Sequence, residues 1–377
     1  MTLTQPALGA SGRHRIDVLS TIHEADAEEW NRVVALAGGS IFHTWQWLAA
    51  FEDAPPGSFE PRHLLAYEDN RLVAVCPSFL VHACPRLSYL AELARLPLDG
   101  PVLLAHSLAA LEGGPLAVPG HEDAIVSLVT SLETTARESG ARTWGVANAA
   151  AGDPIGLLMR HGYATAHITT SYRCTTNVPS AAEYWNFAEG RLRRKLAKER
   201  RVSGRGITVA ENAADADADT LVRLVHSLLK DRGTPTDVLP EAFLKAMKTR
   251  LAPFEHTLTA VDDDRQTVGI FAGWQFGSTL SMWLAGLDTE RLSSFVPYRA
   301  MAARLVDGAV AGDVASIDLG RSNGPEKRKL GAHPVPLHLA LNTSDRGDRA
   351  ALHAACQRLE QRCQGPDEQL DMSKRCC

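Results

Sequence analysis

The stretch IDLGRSNGPEKRKLG, residues 317–331, turns within a few positions from an apolar run into a loop of Gly, Asn and Pro that carries Lys327, Arg328 and Lys329. Residues 315–320 read as a short buried strand ending in Asp318, Leu319 and Gly320. Strand ends are where α/β proteins commonly project active residues. Asp318, at that end, is therefore the first candidate for a site.

Upstream of this stretch, residues 298–311 have a helical pattern and TLSMWLAGL, 279–287, reads as a strand. Before them HTLTAVDDDRQTVGIFAGWQF, 256–276, is predicted as a hairpin with an acidic turn, preceded by helices at 218–233 and 240–251. Gly233, Thr234 and Pro235 read as the turn that ends the first of these helices. The first half of the chain repeats the order. A strand at 14–22 and helices at 24–38 and 40–53 lead into the hairpin RHLLAYEDNRLVAVCPSFLVH, 62–82, turning at Glu68, Asp69 and Asn70. An irregular segment, 97–120, is followed by a helix at 122–140 and the strand TWGVANA. LLAYED at 64–69 beside LTAVDD at 258–263 carries the same echo, which predicts two copies of one α/β unit.

Bulk properties narrow the classes. A chain of 377 residues favours two lobes, and its formal net charge of -5 excludes a protein that is basic throughout. Seven cysteines form no C-x-x-C pair, which fits a reduced cytoplasm, and the vicinal Cys376 and Cys377 are given no role. The N-terminus lacks an apolar core of signal-peptide length, and no run approaches the roughly 18 apolar residues of a membrane span, so a cytoplasmic location is expected. There is no H-E-x-x-H, no zinc spacing of Cys and no P-loop. His333 to His338 is a prolyl stretch read as structural, and no metal is expected.

RLRRKLAKERRVSGRG, residues 191–206, stands against the mildly acidic average with eight Lys and Arg and one acid, Glu199. Ser180 with Glu183 three residues on is a capping-box signature, so the block reads as the second half of a helical region stopping at Gly204. Leu192 and Leu196 share one edge; Arg191, Arg194, Lys195, Lys198 and Arg201 line the rest. Such a face either stays solvated or holds a polyanion through phosphate contacts that are indifferent to base sequence.

The basic helix, DRGTPTDVLPEAF, the acidic-turn hairpin and IDLGRSNGPEKRKLGAHP together resemble the second lobe of the Fem-type aminoacyltransferases and their BioF2-like relatives in the GNAT superfamily. The resemblance is strongest over 184–336 and weaker over 40–77. Its specific part is Asp318, Leu319, Gly320, Arg321 and Ser322, then Lys327 and, four beyond it, Gly331. The chain departs from the pattern at Glu326, where an aromatic is usual, and at Leu330, where Phe is common. The resemblance implies an α/β, tandem GNAT-like fold, two similar lobes of mixed sheet flanked by helices. The lobes are placed at 14–175 and 176–345, with the basic helix at 191–204, a disordered 1–13 and a C-terminal helix and tail at 346–377. It also implies an N-acyltransferase, the leading donor being aminoacyl-tRNA and the acceptor a primary amine of a cell-wall precursor or natural product. An acyl-CoA donor acting on an amino sugar or small amine is the alternative. A catalytically inactive accessory binding protein is the rival from another class. No permanently bound cofactor, no DNA partner and no membrane span are expected.

The donor question has a sequence handle. After 279–287 no Gly falls between Gly286 and Gly308, so the Gly-rich turn that would cradle a CoA pyrophosphate at a helix start is not evident. Aminolysis of an ester or thioester needs a neutral amine and a stabilised oxyanion; an alkylamine of pKa ~10 costs roughly 4 kcal/mol to deprotonate at pH 7. Lys327, matching the family's Lys, is the candidate cation for the oxyanion or a donor phosphate, with Lys329 its neighbour. Asp318 either accepts the amine proton or anchors Arg321, and Arg321 suits a substrate carboxylate or phosphate. Tyr298, near a helix start, is a candidate donor to the leaving group. Trp45 and Trp47, two apart on a helix, cannot share a face; one is expected to pack while the other lines an acceptor cleft.

Overall fold

The computed structural model describes residues 13–150, 153–187, 194, 207–212, 216–292, 296–312, 314–321 and 323–363. The predicted disorder at 1–13 lies, but for residue 13, outside the described residues, as does the basic helix at 191–204 apart from Arg194. The chain forms two compact units, one of residues up to Thr169 and again from Pro336, the other Thr170–Val335. This departs from the expected end-to-end lobes: the chain enters unit 2 and later returns to unit 1, so the C-terminal helix belongs to unit 1.

Unit 1 contains β1 (Arg15–Leu19), α1 (Ala27–Leu36), α2 (Trp45–Asp53), β2 (Ser58–Pro61), β3 (His63–Glu68), β4 (Arg71–Cys76), β5 (Ser78–Ala83) and α3 (Pro85–Ala94). These are followed by β6 (Val102–Ala105), β7 (Leu116–Ala117), α4 (Asp123–Glu138), β8 (Thr143–Ala150), α5 (Asp153–Arg160) and the start of β9 (Ala164–Thr175). The hairpin read at Glu68 to Asn70 is present: Asp69 and Asn70 both have positive φ, 48° and 63°, the geometry whose twist matches the flanking strands. The segment expected to be irregular holds two short strands, β6 and β7. Strands β1, β3, β4 and β7 form one antiparallel sheet, and β2, β5, β6 and β8 lie in order in another, with β6 and β8 parallel. Helix α4 closes the core by laying Leu128, Leu132 and Ala136 over Leu64, Leu103 and Trp144.

Unit 2 contains α6 (Ala181–Tyr184), β10 (Ile207–Glu211), α7 (Ala218–Asp231), α8 (Glu241–Arg250), β11 (Glu255–Asp262), β12 (Thr267–Phe276), β13 (Thr279–Leu287), α9 (Val296–Ala311), β14 (Ser316–Asp318) and α10 (Gly324–Arg328). The chain then runs into β15 (His333–Thr343), which reaches unit 1 ahead of α11 (Arg346–Cys363). The sheet order is β10-β11-β12-β13-β14-β9, antiparallel except for β13 against β14. Leu221, Leu224 and Val225 of α7 cover one face over Ile270 and Leu284; Met301, Leu305 and Val306 of α9 cover the other over Leu258, Leu280 and Ile317. Asp217 caps α7 by accepting from the Thr220 amide at 2.7 Å. Gly233, at φ 66°, ends it, with the Thr234 amide on the Leu229 carbonyl and the Gly233 amide on that of Lys230, both at 2.9 Å.

Helix α7 approaches β13 so closely that a Cβ on Gly286 would stand 2.7 Å from the main chain of Leu224 and Val225. Neither neighbour is a side chain that can swing away. Gly286→Ala is therefore expected to destabilise the protein by about 1–3 kcal/mol, read as a lower urea midpoint at unchanged m-value. An unchanged midpoint would show that the helix stands off the strand.

Candidate active site

The parallel pair β13 and β14 creates the site. Their ladder has three rungs, Thr279↔Ser316 to Ser281↔Asp318, yet β13 runs on to Leu287. Beyond Asp318 the chain stays with β9 instead: the Leu319 amide bonds the Tyr172 carbonyl at 2.8 Å and the Tyr172 amide bonds the Gly320 carbonyl at 3.1 Å. The sheet thus opens at the carboxyl ends of two parallel strands, the place where open α/β sheets bind ligands.

The loop that follows is fixed from several sides. Asp318 is buried, its Oδ1 accepting from Ser171 Oγ at 2.5 Å and from the Gly320 amide at 2.7 Å, with Arg173 Nη2 3.5 Å from Oδ2. Gly320 and Asn323 take positive φ, 74° and 50°, which swings the chain into α10. Gly324 has no room for a side chain, since a Cβ there would lie 2.0 Å from Tyr172 Oη. The carboxylate serves its own turn through Ser171, Gly320 and Arg173.

Lys327 points inward from α10 and is only 3% exposed. Its ammonium donates to the Gly320 carbonyl at 2.9 Å and to that of Arg321, and lies 5.8 Å from the centre of the Tyr172 ring. Two of three N–H groups are thus used and one is left for another acceptor. Burial pushes the pKa of Lys327 down to about 7; Asp318 opposes that fall, Arg232 adds to it and Cys174 opposes it.

The rest of the triplet is placed differently. Arg328 lies over the Tyr172 ring, 5.5 Å from its centre, with Nη2 3.4 Å from the phenol oxygen. Lys329 is exposed and pairs with Glu326 one turn away. Tyr298 is partly buried with its ring edge-on to Phe271 at 4.9 Å. Burial pushes its phenol up to about 12, while Arg232 lowers and Glu326 raises it, so it remains a proton donor at neutral pH. Arg321 is partly buried and contributes its carbonyl to Lys327.

Several residues that no motif singled out complete the surroundings. Ser171, Tyr172, Arg173 and Cys174 are consecutive on β9, and Cys174 is an inert buried thiol pushed up to about 11 by burial. Tyr184, capped into place by Ser180, donates to the Leu330 carbonyl at 2.7 Å, and burial keeps it protonated. Trp185 Nε1 donates to Asp307 at 2.7 Å. Arg232, exposed at the end of α7, acts by its charge on both Lys327 and Tyr298. The one advance signal for these residues is that DRGTPTD, which contains Arg232, belongs to the family pattern.

The proposed polyanion face is described at one position only: Arg194 is exposed and helical, while Arg191, Lys195, Lys198 and Arg201 lie outside the described residues. Trp47 is wholly buried in unit 1, edge-on to Phe42 at 4.6 Å, which makes it a core residue and removes it from any substrate surface. Trp45 is half-buried, its indole N–H on the Ile22 carbonyl at 2.9 Å and its ring against His23. Among the described residues no cluster of three His, Cys, Asp or Glu could hold a metal ion, and no helix is long and apolar enough to cross a membrane.

Residues 188–328, which include the opening of the sheet, α9 and Lys327, match the sequence model of an acetyltransferase (GNAT) domain. Over that segment the chain is similar to a GNAT acetyltransferase domain. Among solved structures it is similar to FemX, at 10% identity over 84% of this chain and 96% of that one with a TM-score of 0.59. It is also similar to L-PGS from Bacillus licheniformis (12% identity, 89% and 97% covered, TM-score 0.55) and to a tandem GNAT protein from the clavulanic acid biosynthesis pathway (11%, 88% and 99%, 0.55). At these identities the likeness is one of fold, and the fold is tandem GNAT. No curated protein matches the chain.

A buried lysine with a lowered pKa makes stability depend on pH. Between about 7 and 10.5 the unfolded chain holds a proton that folded Lys327 has shed, so the unfolded state binds more protons and stability rises with pH. The slope in that window is up to about 1.4 kcal/mol per pH unit, and below it the full cost of the buried ammonium remains. Urea unfolding of the wild type and Lys327→Met at pH 7, 8 and 9 should give curves that diverge upward for the wild type. Parallel curves would mean that Lys327 keeps an ordinary pKa.

Proposed function

We propose that the protein is an N-acyltransferase that forms an amide at the opening between β13 and β14, moving an aminoacyl group from aminoacyl-tRNA to a primary amine of a cell-wall precursor or natural-product acceptor. The observation that carries this reading is the buried Lys327, held beside the opening within the segment that matches a GNAT domain. In the reaction the amine attacks the ester carbonyl, the oxyanion collapses and the ribose hydroxyl leaves with a proton. An ammonium whose charge is disfavoured by burial gains most when a negative oxygen develops beside it, so Lys327 is assigned to the oxyanion through its remaining N–H. Tyr298, still protonated at neutral pH, is assigned to the leaving oxygen. Asp318 is assigned to anchoring the turn, and Arg321 to a carboxylate or phosphate.

Three points support the tRNA donor. The eight cations of 191–206 follow Tyr184 and Trp185, which are pinned to Leu330 and Asp307 of unit 2. Arg191, Arg194, Lys195, Lys198 and Arg201 are assigned to the phosphates, with Lys329 and the charge of Arg232 adding to the same sign. The third point is that the start of α9 lacks glycine. An acyl-CoA donor is the second reading, favoured by a long helix that follows β13 at the opening, since helix N-termini attract phosphate.

Lys327→Ala should lower acyl transfer by about 10²-fold or more, whereas Lys329→Ala, which removes one exposed cation from the phosphate face, should raise KM and leave kcat within about threefold. Radiolabelled aminoacyl-tRNA with and without ribonuclease, run beside acetyl-CoA and longer thioesters, identifies the donor. Activity that survives ribonuclease and follows CoA selects the second reading. Wild-type rates in Lys327→Ala would overturn the assignment of the site.

A further inference from the structure

Among the described residues each unit has a pair of parallel neighbouring strands joined through a helix: β13 and β14 through α9 in unit 2, β6 and β8 through α4 in unit 1. Each therefore has one crevice position beyond the carboxyl ends of such a pair. In unit 2, β13 runs on to Leu287, past its last rung with β14 at Ser281.

In unit 1 the same position is filled. Strand β6 ends at Ala105, and His106 takes a left-handed φ of 69°. Strand β8 continues, but at Asn148 its backbone also turns left-handed, φ 57°, and the Asn148 carbonyl accepts from the Gly113 amide at 3.2 Å. The Asn148 side-chain amide donates to the carbonyls of Ser107 at 3.0 Å and Ala110 at 2.9 Å. Gly113 sits so tightly that a Cβ would stand 2.5 Å from the Ala147 carbonyl oxygen and 2.7 Å from His106 Cβ. His106 accepts from the Ser107 amide at Nδ1 and so donates from Nε2 to the Phe42 carbonyl at 2.7 Å. Leu108, Ala110 and Leu111 are buried. Strain at two non-glycine residues on neighbouring strand ends persists only where the surroundings fix it, and here both face one segment.

We infer that unit 1 has closed its own crevice with the strap 106–114, pinned by Asn148, so that the chain offers one acyl-transfer crevice, that of unit 2. The second half of this statement rests on the function proposed for unit 2; the closure of unit 1 does not.

Hydrogen exchange on the full chain tests the closure without any substrate. In the wild type the amides of 107–114 should exchange within about tenfold of those of β8, and Asn148→Gly, which tolerates the left-handed backbone but removes both side-chain bonds, should speed the strap by about 30-fold. Gly113→Ala, which expels the strap by contact, should act in the same direction. Both variants should keep acyl-transfer kcat and KM within about twofold of wild type, because the crevice proposed for transfer is that of unit 2. Exchange of 107–114 at free-peptide rates in the wild type overturns the closure. Loss of acyl transfer in both variants with the strands of both units still protected overturns the single-crevice statement, whereas a failure of Lys327 to matter for transfer would touch only the function proposed for unit 2.

Discussion

An ammonium taken out of water must be given acceptors or shed its proton, and Lys327 is held close to that balance. Its two carbonyl partners, on Gly320 and Arg321, are the backbone of the turn that leaves β14. That turn exists because Gly320 adopts a left-handed backbone and Asp318 fastens its amide. Tyr172 sets the distance at which α10 can lie, because Gly324 meets its phenol oxygen, and Tyr184 holds the carbonyl of Leu330 just after α10. Remove the ammonium and two carbonyls, one of them on the buried Gly320, lose a partner. Sheet, turn and short helix are therefore tied at one side chain.

The two units solve the same topological problem in different ways. A parallel pair joined by a helix leaves an edge where the strands part. In unit 2 that edge belongs to the long strand β13; in unit 1 it belongs to β8, and Asn148 turns the edge inward to accept the strap. On the function proposed for unit 2, a doubled fold needs one catalytic centre, and the other copy is free to vary in its loops.

Elements governed by local chemistry were legible in the sequence. Asp69 and Asn70 specify the turn between β3 and β4, Asp217 and Gly233 bracket α7, and Ser180 caps α6. Elements governed by distant packing were not. The four residues of β6 carry no period of their own, and the Pro-containing start of β15 conceals an 11-residue strand that leads the chain back to unit 1. In the candidate site, Asp318 was legible as a strand end and Lys327 only through the family resemblance, since nothing in Lys327, Arg328 and Lys329 themselves says which cation is buried. The rotation of α10 decides that. Ser171, Tyr172 and Tyr184 carry no motif, and they reach Asp318, Gly324 and Leu330 only through strand pairing and helix docking. Trp47 read as a candidate because large aromatics line ligand clefts as well as cores, and its complete burial places it in the core.

The central claim is that the ammonium of Lys327 is buried in the folded protein and gives up its proton near neutral pH. A ¹³Cε NMR titration of lysine-labelled protein, with the Lys327 signal assigned by its absence from Lys327→Met, measures this directly. One lysine titrating with a midpoint of about 7 is the predicted result. A midpoint near 10.5 for Lys327 would place its amine in water and contradict the site as described.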